Sequence, residues 1–105
     1  MQLLSQALIQ EMTDAMNAAE EDLLNGASAY DDCEDDDRRK VEVFGAILKD
    51  PTAAAVKSHA FAVEWIADLL EDTANRAQHF GRGDRPYDHH AAIVKDYKRI
   101  TKETP

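Results

Sequence analysis

Apolar positions in the first 25 residues recur at helical steps. Leu4, Leu8, Met12, Ala15, Ala19 and Leu23 fall three or four residues apart, and Leu3, Met16 and Leu24 widen the stripe. The spacing predicts an amphipathic helix over residues 2–25, roughly 36 Å long if unbroken, with Gly26 placed to close it in a left-handed cap. Periodicity then stops. Residues 27–37 are dominated by like charges and read as an acidic loop with Tyr30 as its one anchor. It resumes over 38–49, where Val41, Phe44 and Leu48 share a face with Val43 and Ile47 beside them, predicting a shorter helix.

Asp50-Pro51 is a helix start signal, because aspartate caps exposed amides and proline fits the first helical position. A long helix is expected over 51–80, stopped by Gly81. Its core stripe would be Val56, Ala60, Val63, Ile66 or Ala67, Leu70, Ala74 and Ala77, with Phe61 and Trp65 forming an i,i+4 pair to one side. That pair offers an apolar patch for a second subunit, although the sequence assigns no oligomeric state. Two glycines and a proline mark 81–87 as a loop. The last helix would run from Pro86 or Asp88 to about Lys102, with Ile93, Tyr97 and Ile100 on one face. No segment alternates with the period of a strand. The expectation is a single all-α domain over 1–105, a bundle of about four helices, two of them long, with an acidic loop after the first.

Composition supports one domain and no more. With 105 residues and 44 % hydrophobic content, the chain can bury roughly 65 % of its unfolded surface. No apolar run approaches bilayer length and the amino terminus has no signal-like block, so a cytoplasmic protein without membrane contact is expected. The single Cys33 cannot form an internal disulfide, and its acidic neighbours disfavour the thiolate that redox or nucleophilic chemistry needs.

Charge changes the picture more. The first 37 residues hold eleven Asp or Glu and no Lys or Arg, ending in Asp31-Asp32-Cys33-Glu34-Asp35-Asp36-Asp37. The remainder is close to balanced, so the net charge of −9 sits wholly at one end. Some of these acids belong to the polar side of a soluble helix, and Asp35, Asp36 and Asp37 suit the positive end of the following helix dipole. Asp31, Asp32 and Glu34 have no such explanation from folding.

Residues 31–42 resemble an EF-hand loop in placing Asp31, Asp35, Asp37 and Glu42 at its first, fifth, seventh and twelfth positions. They depart from it with Cys33 at the third, Asp36 in place of the sixth-position glycine, and Arg38, Arg39 and Lys40 in the second half. His79, Asp88, His89 and His90 surround the glycine loop without zinc-ligand spacing and read as loop and cap residues. His59, beside the apolar stripe of the third helix, reads as a partly buried, hydrogen-bonded side chain. No metal site and no cofactor are expected. Arg82-Gly83-Asp84 spells an integrin-binding tripeptide, but without a secretory signal its residues read as a helix stop and the next cap.

Neither a nucleophile with a supporting base nor a phosphate-cradling glycine motif is present, which leaves protein association as the leading class. The reading is a small acidic inhibitor or modulator in which Glu20, Glu21, Asp22, Asp31, Asp32, Glu34, Asp35, Asp36 and Asp37 face the basic surface of a partner that handles nucleic acid. In size, helicity and charge the chain is similar to phage-encoded inhibitors such as anti-CRISPR proteins and DNA mimics, and to acidic immunity proteins. That similarity is one of type, without an alignable motif.

Two alternatives stand beside it. Glu20 and Glu21 on the first helix, with Glu64, Asp68, Glu71 and Asp72 on the third, resemble the paired acidic motifs of MazG-type all-α nucleotide pyrophosphohydrolases, which would imply magnesium held against a triphosphate. Alternatively Arg82, Arg85, Lys95, Lys98, Arg99 and Lys102 form a modest basic patch for single-stranded nucleic acid, with Trp65, Phe80 or Tyr87 offering a stacking surface. The overall charge opposes that second alternative.

Overall fold

The computed structural model describes residues 3–26, 34–81 and 83–102. Its elements are α1 (Gln6–Asn25), α2 (Glu34–Lys49), α3 (Ala53–Lys57), α4 (Ala60–Ala77) and α5 (Arg85–Thr101), with no strand among the described residues. The all-helical expectation holds. The count does not, because the long third helix is two helices.

The break falls at Ser58 and His59. The Ser58 hydroxyl donates to the Ala55 carbonyl at 2.8 Å, and His59 is extended at φ −122° and ψ 101°. One extended residue resets the helical phase. The buried stripe of α4 is therefore Ala62, Ile66, Leu69, Thr73 and Ala77, while Ala60, Ala67 and Ala74 face solvent. Proline does not start α3 either. Thr52 is its N-cap, with Oγ1 accepting from the Ala55 amide at 3.2 Å, and Pro51 instead offers its carbonyl to the Leu4 amide at 2.8 Å.

α1 begins four residues later than the periodicity suggested, since Ser5 caps it by accepting from the Leu8 amide at 3.3 Å. Its stop is as expected, with Gly26 at φ 71°, a region that costs any residue with a Cβ. α2 begins four residues earlier than Arg38. Glu34 to Asp37 form its first turn, where the carboxylates of Asp35, Asp36 and Asp37 complement the positive end of the dipole. A calcium loop over 31–42 is excluded by the helix that runs through most of it.

α1 and α2 are antiparallel. Leu3 and Leu4, just before α1, meet Pro51 and Thr52, just after α2. Mid-helix Gly45 faces Met16 across the pair, with room for a Cβ, which would lie 3.9 Å from Met16 Sδ. α5 also runs antiparallel to α1, because Ser5 meets Asp96 while Glu11 meets His89. α4 packs mainly on α5, and α3 bridges α4 and α5. The result is flat, 40 × 37 × 19 Å, its thin dimension about two helix diameters.

The core gathers Leu4, Leu8 and Met12 from the first segment, Phe44 and Ile47 from α2, Val56 from α3, Ala62, Ile66 and Leu69 from α4, and Ile93 and Ile100 from α5. Phe44 is fully buried at its centre, with ring centroids 5.9 Å from Phe61 and 4.6 Å from Trp65. The Phe61–Trp65 pair is thus half-buried within the fold. Arg39 covers the outer side of Phe61, its guanidinium carbon 5.5 Å from the ring centre.

Candidate functional site

The antiparallel pairing of α1 and α2 decides where the acids lie. Because the start of α1 meets the end of α2, the last turns of α1 and the first turn of α2 share the other end of the hairpin. Glu20, Glu21 and Asp22 are exposed on the last turns of α1, and Asp35 and Asp36 are exposed on the first turn of α2. Asp37 differs. It is buried, 6 % exposed, and cannot meet a partner's surface without rearrangement. Glu34 opens the helix, while Asp31, Asp32 and Cys33 lie outside the described residues.

A second site was not legible in the sequence. The first half of α1, the end of α4 and the start of α5 enclose an open groove of about 850 Å³. Glu11 ties the three helices together beside it. Its Oε2 accepts from His89 Nε2 at 2.6 Å, an imidazole nitrogen that must carry its hydrogen if the acceptor is a carboxylate, and lies 3.5 Å from Arg76 NH1. Arg76 also donates to Asp72 at 2.9 Å, one turn back on α4. Exposed i,i+4 pairs of this kind contribute about 0.5 kcal/mol, so the Glu11 contacts matter chiefly for where they hold α4 and α5. Next to them the Thr73 hydroxyl lies 2.7 Å from His90 Nδ1 and fastens α4 to α5 from inside.

His89 and His90 point to different neighbours, Glu11 on α1 and Thr73 on α4, and His79 is exposed. His59 holds the N-cap position of α4, half-buried, and its side chain makes no capping bond. Among the described residues no group of three or more His, Cys, Asp or Glu is arranged to hold one metal ion. Glu64, Asp68, Glu71 and Asp72 are all exposed on α4.

Arg85 lines the groove, Lys95 and Lys98 lie on an outer depression of α5, and Arg82 is outside the described residues. Lys102 follows the last turn and is exposed. Arg99 is occupied, donating to the Leu3 carbonyl at 3.3 Å and lying 3.6 Å from Asp96 Oδ1. Asp84 takes the N-cap position of α5, but its carboxylate accepts from the Gly81 amide at 3.0 Å instead of capping the helix.

No family model, curated protein or solved structure matches the chain. Function must therefore be argued from these two surfaces, the acidic end and the three-helix groove. No helix among the described residues is long and apolar enough to cross a membrane.

Proposed function

We propose that the chain is a small protein-binding inhibitor or modulator whose acidic hairpin end covers a basic, nucleic-acid-binding surface of a partner protein. The observation that carries this reading is the antiparallel pairing of α1 and α2, which brings the exposed Glu20, Glu21 and Asp22 to the same end as the exposed Asp35 and Asp36. The sequence between them also holds Asp31 and Asp32, which lie outside the described residues. A basic residue is absent from the last turn of α1, so no cation on that helix end offsets its acids.

Carboxylates concentrated on one end steer a positively charged partner and speed its encounter, an effect worth a factor of roughly 10 to 1,000 in association rate. The interaction should weaken sharply with salt, since its main component is screened over roughly 10 Å. The test is substitution of Glu20, Glu21, Asp22, Asp35 and Asp36 by their amides, all at exposed positions. Partner capture from host cells should fall at least tenfold with unchanged circular dichroism. Equal capture by the substituted protein would remove the acidic end from the interaction.

A further inference from the structure

We infer that the groove between α1, α4 and α5 binds a free amino acid with a large apolar side chain. Two kinds of surface meet there. Ala7, Phe80 and Pro86 supply apolar wall, and Phe80 is 47 % exposed, one of only three large apolar side chains so exposed among the described residues. The Phe80 amide donates to the Ala77 carbonyl at 2.9 Å, which fixes this residue against the end of α4. The volume of about 850 Å³ is within the range of small-molecule sites and has room for a bicyclic ring.

Charge defines the rest of the ligand. Glu11 and Arg76 line the groove but already engage each other, His89 and Asp72. Arg85 and Asp88 also line it, and among the described residues neither has an ion-pair partner. They sit three apart on the first turns of α5, a spacing that places their Cβ atoms about 5–6 Å apart on one face. A cation and an anion neighbouring on one face of the groove complement an α-zwitterion, whose carboxylate and ammonium are carried on a single carbon. The carboxylate goes to Arg85, the ammonium to Asp88, and the side chain to the Phe80 wall. A residue inside a peptide has neither charge and a terminal residue has one, so free amino acids are selected over peptides. This site lies at the opposite end of α1 from the acidic hairpin end and does not depend on it.

The experiment is a calorimetric titration of the intact chain with L-tryptophan, followed by amide chemical shifts. Saturation at about millimolar concentration is expected for a ligand of this size, with shifts confined to α1, α4 and α5 around the groove. Tryptamine, indole-3-propionate and N-acetyl-L-tryptophanamide should each bind about tenfold more weakly or not at all, and L-alanine should not bind. In R85Q, tryptamine and L-tryptophan should become equivalent, and in D88N so should indole-3-propionate and L-tryptophan. F80A should lose the preference for the indole ring. No saturable binding of L-tryptophan, or equal binding of the analogues that lack a charge, would overturn the proposal. Shifts mapping outside the groove would overturn it as well.

Discussion

Asp96 is the buried charge on which the join between the amino-terminal segment and α5 depends. It is 2 % exposed, and its Oδ2 accepts from the Ser5 amide at 2.9 Å and the Ser5 hydroxyl at 2.6 Å. Ser5 spends its only hydroxyl hydrogen on Asp96, which leaves its oxygen free to accept from the Leu8 amide and cap α1. Arg99 completes the arrangement by reaching both Asp96 and the Leu3 carbonyl. S5A loses the cap, about 1 kcal/mol, and one bond to a buried carboxylate, about 1 kcal/mol more, for about 2 kcal/mol in all. D96N keeps an acceptor but loses the charge on both bonds, again about 2 kcal/mol. Each is a large fraction of the roughly 5–15 kcal/mol that holds a domain of this size, and each should lower the melting temperature by about 10 °C. Urea unfolding of the two single variants and the double variant measures the coupling. The double variant should lose about 1 kcal/mol less than the sum, because the Ser5 hydroxyl bond to Asp96 is counted in both single variants. Single losses below about 0.5 kcal/mol, the level of an ordinary surface change, would refute the role given to Asp96.

Other substitutions separate packing from backbone effects. F44A removes the fully buried ring that Phe61 and Trp65 pack against and should cost about 3–5 kcal/mol, with a red shift of Trp65 emission as its environment becomes wetter. The two glycines of the first hairpin should respond with opposite signs to alanine. At Gly45 a Cβ meets only Met16 Sδ at 3.9 Å, so G45A should stabilise the helix by about 0.5–1 kcal/mol, whereas G26A at φ 71° should destabilise it by about 1 kcal/mol. If the acidic end stands in for nucleic acid, the chain itself should not retard single- or double-stranded DNA at low salt, and a salt-sensitive shift abolished by K95E/K98E would favour direct binding instead.

The helical class was readable because the heptad-like spacing of Leu4, Leu8 and Met12 and the terminal glycine at 26 act locally, through propensity and capping that a single segment carries. The break at Ser58–His59 was not readable. Each residue is tolerated in a helix interior, and the observed phase of α4 goes with contacts that come from other helices, such as Phe44 against Phe61 and Trp65. Asp35 to Asp37 were expected at a helix start and Glu34 in the loop before it; the helix instead begins at Glu34, and its first turn buries Asp37, which a charge count treats as equal to its neighbours. The groove rests on Glu11, Arg76 and His89 from three helices and left no local pattern to find. Asp96 left a faint one, as the single acid between Lys95, Lys98 and Arg99 on the inward stripe with Ile93 and Ile100.

The central claim is that the acidic hairpin end occupies a surface built for nucleic acid. Its most direct test is competitive capture. The tagged chain and its form with amides at Glu20, Glu21, Asp22, Asp35 and Asp36 are used to retain partners from host cells, with and without added DNA or RNA. The expected result is a nucleic-acid-binding partner retained by the native chain, lost with the amide form, and displaced by added nucleic acid in a salt-dependent manner. A partner retained equally by both forms, and indifferent to nucleic acid and salt, would contradict it.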